Sequence, residues 1–333
     1  MRKFTVVLLT VFILISVFFA SCKKKIAQDD FVLNISLNTS LCGAAQHIAL
    51  EKGYFKEEGL NVEFIKLASG VSGFDAIAAG QVDAAFALLG NVIQPLSNGL
   101  EVKITTGLHT GCDIVLVKPD SGITRAEHLR GKKIGVPSMT GSQLIHAKRV
   151  LADNGINVNM ENSEVEFIVY NATDLPLVLY NDSVDAIAMG EPTATIAVNE
   201  YGYVVLFDSA VDKPYNDQYC CLAIVSDRLL KDHRDIAEKY TRAMQRAAEY
   251  VSSNQDEVAR IQIEKNYVPG DPVVNAQVLK KFNYIPSVSG AYEAFGITGP
   301  QLQTVGMLGK EIDVKALQEN SFVFFEGLDD RFK

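Results

Sequence analysis

The sequence predicts an α/β protein of two similar Rossmann-like lobes, joined by crossover strands and holding a ligand cleft between them. Three observations carry that expectation. First, short apolar runs alternate with amphipathic stretches at the spacing of a strand–helix–strand–helix chain, which builds a largely parallel sheet with right-handed crossovers. Second, one segment echoes another. Gly80-Gln81-Val82-Asp83-Ala84-Ala85-Phe86-Ala87, followed by Gly90-Asn91, matches Asn181-Asp182-Ser183-Val184-Asp185-Ala186-Ile187-Ala188, followed by Gly190-Glu191-Pro192. Each copy passes from a polar turn through Val-Asp-Ala into a buried strand and out into a helix start, and the copies lie about one lobe apart. Third, the turn Gly131-Lys132-Lys133, a short buried strand Ile134-Gly135-Val136 and Pro137 lead through Ser138, Met139, Thr140, Gly141 and Ser142 into an amphipathic helix ending near Asp153. A strand that feeds through small hydroxyl residues into a helix leaves backbone N–H groups facing the space above the strand end, a seat for a small polar or anionic ligand.

The elements follow in order. Phe31 to Leu37 reads as the first strand, Asn38-Thr39-Ser40 as a turn with a helix cap, and Cys42 to Lys52 as a helix burying Ala44, Ala45, Ile48 and Ala49. Val62 to Lys66 is a second strand. Ser69-Gly70-Val71-Ser72-Gly73 opens a helix to Ala79, Ala84 to Leu88 is a buried strand, and Leu89-Gly90-Asn91 starts a further helix. The crossings between lobes are expected through Gly107–Ile114 and Gln218–Ile224. Lobe one then comprises 31–112 and 222–333, and lobe two 113–221. In the long helical region after Asp227, Ile236, Tyr240, Ala243, Met244, Ala247 and Val251 recur at helical spacing and form a core stripe.

The N-terminus addresses the chain outside the cytoplasm. Arg2 and Lys3 precede the uncharged run Phe4–Ser21, the pattern of a signal peptide (1–21) whose apolar core is short for a membrane span. Phe19-Ala20-Ser21-Cys22 resembles a lipoprotein cleavage box, so Cys22 is expected to be lipidated. The polar residues 22–30 form a tether to the outer face of the cytoplasmic membrane or the periplasm. Removing 1–21 takes away two basic and no acidic residues, so the formal charge moves from −9 to −11. That balance argues against a nucleic-acid partner. About 300 mature residues suit two ordinary lobes, and a monomer.

At this point the chain resembles the periplasmic solute-binding proteins of ABC importers for nitrate, aliphatic sulfonates, taurine and thiamine pyrimidine precursors. The residues that carry the likeness are Glu51-Lys52-Gly53-Tyr54-Phe55 with Glu58-Gly59-Leu60, Ala79-Gly80 with Val82-Asp83-Ala84, Leu129–Pro137, and Gly190-Glu191-Pro192. The resemblance implies a type II periplasmic binding protein fold that closes around its solute, docks on a permease and works with an ATPase. It also implies a pocket lined by Ser40, Leu41 and Cys42, by Gly70, Val71 and Ser72, by Gly90 and Asn91, and by His109, Thr110, Gly111 and Cys112. Lobe two would add Ser138, Met139, Thr140, Gly141, Ser142, Glu191, Tyr219 and Cys221. Such a pocket holds no Arg or Lys, which favours a neutral heterocycle, an amine-bearing or a metal-linked ligand over a simple sulfonate.

Cysteine usage departs from that pattern. Cys42, Cys112 and the pair Cys220-Cys221 fall on pocket-lining segments, and no spacing fixes a disulfide connectivity. Cys42 and Cys112 read either as packed or disulfide-bonded residues or as ligands. With His109 they offer thiolate and imidazole donors suited to zinc or copper(I), the basis of an alternative reading as a metal receptor. The pair also resembles the cysteine-rich iron motif of eukaryotic thiamine-pyrimidine synthases, which has more cysteines. Neighbours on a strand point to opposite faces, so only one of Cys220 and Cys221 is expected at the cleft. No triad, phosphate loop or carboxylate pair suggests an enzyme.

Overall fold

A computed structural model describes residues 31–68, 71–159 and 161–328; the signal peptide, Cys22, the tether and Gly70 lie outside them. The unit spanning Leu33–Lys333 contains two five-stranded sheets. The first is built from β1 (Val32–Ser36), β2 (Asn61–Ile65), β3 (Ala84–Leu88), β4 (Val102–Thr110) and β10 (Tyr219–Ser226), in the order β2-β1-β3-β10-β4. The second uses β5 (Asp113–Val117), β6 (Lys133–Val136), β7 (Glu166–Val169), β8 (Ala186–Gly190) and β9 (Val204–Asp208), in the order β7-β6-β8-β5-β9. The two orders are the same pattern. In each sheet the third strand of the local series, β3 or β8, pairs on one side with the first and on the other with a strand that has crossed over. The sequence echo therefore maps onto equivalent places, since Val-Asp-Ala leads into β3 and β8 alike.

The expectation of largely parallel sheets needs correcting. β1 pairs with β3, and β6 with β7 and β8, in parallel, but β10 runs antiparallel to β3 and β4, and β5 antiparallel to β8 and β9. A parallel neighbour requires a crossover connection back to the same sheet edge. β5 and β10 enter from the other sheet, so nothing imposes that direction on them.

Both faces of the second sheet are covered, and the strands record it. On β5, Val115 and Val117 join the main core while Ile114 and Leu116 join a second cluster with Leu175, Leu179 and Tyr203. Ala186 and Ala188 of β8 face the first cluster, Ile187 and Met189 the second. This period-two alternation between two apolar faces explains why the runs read as continuously hydrophobic.

Helices position the strand ends. α1 (Ala44–Glu51) buries Ala44, Ala45, Ile48 and Ala49 and packs on the long helix α5 (Arg234–Ser253). α2 (Gly73–Ala78) starts at a reciprocal cap in which Ser72 Oγ accepts from Asp75 N at 3.1 Å and the Ser72 N–H donates to the Asp75 carboxylate at 3.3 Å. Gly73 is required there, because a Cβ would lie 2.7 Å from Ala85 Cβ and 2.9 Å from Ser36 Oγ. α3 (Leu89–Ser97) follows β3 directly, and α4 (Ser142–Asp153) follows the Ser138–Gly141 turn. α5 buries the whole predicted stripe of Ile236, Tyr240, Ala243, Met244, Ala247 and Val251. No helix among the described residues is long and apolar enough to cross a membrane.

Candidate functional site

The segments that leave β1, β2 and β3 meet around a cavity of about 590 Å³. Asn38, Thr39, Ser40, Lys66, Val71 and Ser72 supply its rim, and Phe74, Phe86 and Asn91 its walls. A second cavity of about 420 Å³ shares Ser72, Phe74 and Asn91 with the first and adds Gln94, Ser138, Thr140, Gly141 and Met307. Strand ends of the first sheet thus face the turn after β6 of the second, and the two cavities form one polar cleft with aromatic walls. Asn91 touches both, and its Oδ1 is buried without a hydrogen-bond partner. Ser138 Oγ and Thr140 Oγ1 lie 3.2 Å apart at the opposite wall.

A few residues from the cleft, a cluster of sulfur atoms occupies the core. Cys42 Sγ lies 3.4 Å from Cys112 Sγ, which is 2.7 Å from Cys220 Sγ and 3.1 Å from Cys221 Sγ; the last two are 3.2 Å apart. Local structure explains each placement. Cys42 sits in a short 3-10 turn at Leu41–Gly43, just beyond β1. Cys112 lies in the two-residue link between β4 and β5, where Gly111 at φ 71° lets the chain turn. Its N–H and that of Asp113 both donate to Ser209 Oγ at 2.9 Å. Cys220 and Cys221 open β10, whose pairing with β4 shifts register on both sides of Cys221. Such a bulge breaks the in–out alternation. Both sulfurs therefore reach the cluster; Cys220 also lines a small space beside it, and Cys221 is fully buried.

His109 completes the group. Its ring is stacked on Phe282 at 4.9 Å and packs against Tyr284 at 4.4 Å, while Tyr284 Oη donates to the Cys42 carbonyl at 3.3 Å. His109 Nδ1 faces the Thr110 carbonyl at 3.0 Å, so Nδ1 carries the proton and donates. Nε2 is buried and has no hydrogen-bond partner. The donor atoms of Cys42, His109, Cys112 and Cys221 all lie within 4.8 Å of one another.

The cluster is electrostatically uneven. Hydrogen bonding with Cys112 and Cys221 holds the Cys42 thiol well below the usual range. At Cys220 burial opposes ionisation, but hydrogen bonds from Cys112 and Cys221 and the charge of His109 prevail and lower it. Burial pushes Cys112 and Cys221 up. Burial also works to lower His109, yet the negative sulfurs of Cys220 and Cys42 outweigh it and raise the imidazole to about 10. These shifts favour negative charge on Cys42 and Cys220 beside a positive His109 ring in a dry pocket, a charge pattern a bound cation would replace.

The family model described as NMT1/THI5 like matches residues 44–258. The chain belongs to the NMT1/THI5-like family. A "Putative aliphatic sulfonates-binding protein" of Bacillus subtilis (strain 168) is 25% identical over 340 residues, covering 97% of this chain and 96% of that one. A 4-amino-5-hydroxymethyl-2-methylpyrimidine phosphate synthase of Aspergillus parasiticus is 26% identical over 251 residues, 72% of each chain. Among solved structures, the alkanesulfonate-binding protein SsuA of Xanthomonas axonopodis pv. citri, bound to MOPS, superposes with a TM-score of 0.72 at 14% identity, over 88% of this chain and 98% of that one. The shared architecture is that of periplasmic binding proteins, as the sequence predicts.

Within this NMT1/THI5-like chain the predicted site residues divide into three groups, with Met139 and Glu191 apart from all three. Ser40, Val71, Ser72, Gly90, Asn91, Ser138, Thr140 and Gly141 line the open cleft. Gly111, Ser142 and Tyr219 line a separate small space of about 50 Å³ with Asp113, His146, Arg149 and Cys220. Leu41, Cys42, His109, Thr110, Cys112 and Cys221 are buried and line none of these spaces. Met139 is exposed beside the cleft without lining it. Glu191 is buried, accepting from Thr195 N at 2.9 Å and Thr195 Oγ1 at 2.7 Å, with Lys281 Nζ at 3.6 Å. It secures a helix start, and burial raises its carboxyl.

The expectation of a pocket free of Lys and Arg is corrected by Lys66, which follows β2 and lines the larger cavity, and by Arg149 in the small space. Sequence reasoning ended its second strand at Lys66 and so did not count it as a cleft residue. Phe74 and Phe86 at the cleft, and Phe282 and Tyr284 against His109, were also missed; nothing in the residue type separates an aromatic that lines a site from one packed in the core. Tyr219, predicted for lobe two, belongs to β10 and so to the first sheet.

Proposed function

We propose that the protein is the extracytoplasmic solute receptor of an ABC importer. The cleft takes a small solute with an apolar body and an anionic or acceptor-rich head, the class that includes alkanesulfonates. One observation carries the reading: two cavities that share Ser72, Phe74 and Asn91 bring together a cation (Lys66), hydroxyls (Ser40, Ser138, Thr140) and two phenyl walls (Phe74, Phe86), while the Asp75 carboxylate of the second cavity is held by the Ser72 N–H and Oγ. Few convergent polar groups on an otherwise apolar concavity are how small-molecule sites combine affinity with orientation. The putative sulfonate-binding relative and the sulfonate-binding fold neighbour support the same class.

In this reading the lobes are 31–112 with 222–333 and 113–221, closure over the solute creates the surface a permease and its ATPase partner recognise, and Cys22 carries the lipid anchor. In this reading the receptor acts as a monomer and performs no catalysis, in line with the binding-protein names of the Bacillus relative and the Xanthomonas neighbour. Zinc or copper(I) suits the soft donors of the buried Cys/His cluster. The test is a titration of the purified protein with alkanesulfonates of increasing chain length, nitrate and aminopyrimidines, read by calorimetry and small-angle scattering. Tight binding of one class with a fall in radius of gyration supports the receptor. Binding without compaction would exclude hinge closure, and no binding by any of them would exclude the solute class.

A further inference from the structure

We propose that Cys42, Cys112, Cys221 and His109 form a tetrahedral zinc(II) centre that joins β1's exit to both chain crossings, with Cys220 as a neighbouring thiol outside the donor set. The proposal deepens the assignment of a soft ion to the cluster by naming the donors, the geometry and the place in the fold; it does not depend on which solute fills the cleft.

Four observations converge on it. The four donor atoms already lie within 4.8 Å of one another, drawn from a 3-10 turn, a strand, an inter-strand link and a bulged strand. Such convergence from sequence positions 42, 109, 112 and 221 has no local cause, unlike a loop-borne cluster. His109 supplies the second observation. Its Nδ1–H is committed to the Thr110 carbonyl, which leaves Nε2, buried and without a hydrogen-bond partner, as the nitrogen open to an ion. An orienting hydrogen bond on the far ring nitrogen is how metal-binding imidazoles are held. Third, the register shift in β10 brings Cys220 and Cys221 to the same side, at the cost of a regular ladder with β4. Fourth, Phe282 and Tyr284 close the His109 side, so the donors sit in a dry, apolar shell.

Three sulfurs and one imidazole are a common structural zinc set, with zinc–sulfur bonds of about 2.3 Å. That bond length sets tetrahedral sulfur separations near 3.7 Å, slightly wider than the 3.1–3.4 Å of the Cys42–Cys112 and Cys112–Cys221 pairs. Binding expands the set by a few tenths of an ångström. It also releases the protons of those three cysteines that are still thiols and the Nε2 proton of His109, whose imidazole then donates its lone pair. Because Cys112 lies in the link from β4 to β5 and Cys221 at the head of β10, the ion pins the two segments about which lobe closure would turn. The main competitor is a disulfide between Cys112 and Cys220, the closest sulfur pair at 2.7 Å. It would consume one of the proposed donors.

The experiment uses cobalt(II) as the probe, on the purified protein reduced and handled without oxygen. We expect one cobalt per chain, an intense thiolate-to-cobalt charge-transfer band with tetrahedral ligand-field bands, and stoichiometric displacement by zinc(II). Cys221→Ser and His109→Gln should each weaken cobalt binding at least tenfold, whereas Cys220→Ser should keep both band and stoichiometry. Fully reduced wild-type protein that gives no charge-transfer band overturns the proposal, whatever the variants do. So does a band lost in Cys220→Ser but retained in Cys221→Ser, which would place a different donor set. A Cys112–Cys220 disulfide that survives the reductant, seen as a protein two hydrogens light, overturns it as well. Because the wild-type spectrum decides, a variant that fails to fold does not shield the idea. Solute titration of metal-stripped protein reports separately on the receptor.

Discussion

Ser40 and Cys42 are two residues apart and belong to different worlds. Ser40 lines an open polar cleft; Cys42 is buried in a sulfur cluster beneath it. The cleft is made of loop segments that follow strands, with small hydroxyl and amide side chains, one lysine and phenyl walls. The cluster is made where strands begin, end and bulge, and nearly every atom in it is surrounded by protein. The difference teaches that reactive residue types near a cleft in sequence need not face it. Backbone geometry at the crossings, more than sequence proximity, decides which residues a solute meets and which residues hold the frame.

If that division is right, substitutions in the two regions should fail differently. The largest effect is expected at the crossing. A Cβ on Gly111 would lie 2.3 Å from Ala210 Cα, and its φ is 71°. Gly111→Val should therefore cost about 4 kcal/mol or more and remove the cooperative thermal transition. Retention of a wild-type melting temperature would show the crossing to be as plastic as the cleft.

The next concerns acid sensitivity near the cluster. Burial, aided by the positive charge of Arg149, lowers the His146 imidazole to about 3. The unfolded chain binds a proton there near pH 6.5 and the folded chain does not, so its contribution is complete above pH 6.5 and declines as pH falls towards 3. Between pH 6.5 and 5 the loss amounts to about 2 kcal/mol. Burial holds His47 at about 4, which adds a loss of the same sign. Denaturant melts across this range should show that decline, and His146→Gln should flatten it. An unchanged slope would mean that His146 is not kept neutral.

In the cleft the effect should fall on binding and spare stability. Lys66→Ala should weaken an anionic solute by about tenfold, roughly 1.4 kcal/mol, while leaving the melting temperature in place. The reverse outcome, lost stability with unchanged affinity, would assign Lys66 to the frame. The smallest effect belongs to Gly141. Its φ of −76° is open to any residue, and the nearest atom to an added Cβ is the movable Gln143 Oε1 at 2.9 Å. Gly141→Ala should change stability by no more than about 0.5 kcal/mol, which chemical melts can check.

Much of the architecture is legible in the sequence because it is written in local patterns. The period-two strands and the Val-Asp-Ala echo place β3 and β8, and the helical stripe from Ile236 to Val251 is buried as its spacing predicts. The direction of β5 and β10 is not local: it follows from which sheet a strand has left, and no residue type marks it. The cleft was readable where strand-to-helix turns rich in Ser, Thr and Gly announce it, at Ser72, Asn91 and Ser138–Gly141. Lys66, Phe74 and Phe86 carry no such signature. The convergence of Cys42, His109 and Cys112 could be anticipated from their strand ends, but the arrival of both Cys220 and Cys221 depends on a bulge that strand alternation conceals. Phe282 and Tyr284 come from a segment far along the chain, beyond the reach of any spacing rule.

The most direct test of the division between cleft and frame is a crystal structure of the protein with its tightest-binding solute from the titrated panel. The account requires solute density between Lys66, Asn91 and Thr140, flanked by Phe74 or Phe86, with the cysteine cluster free of any organic group. Solute density within reach of Cys112 or Cys220, with Lys66 left facing solvent, would contradict it and make the cluster itself the binding site.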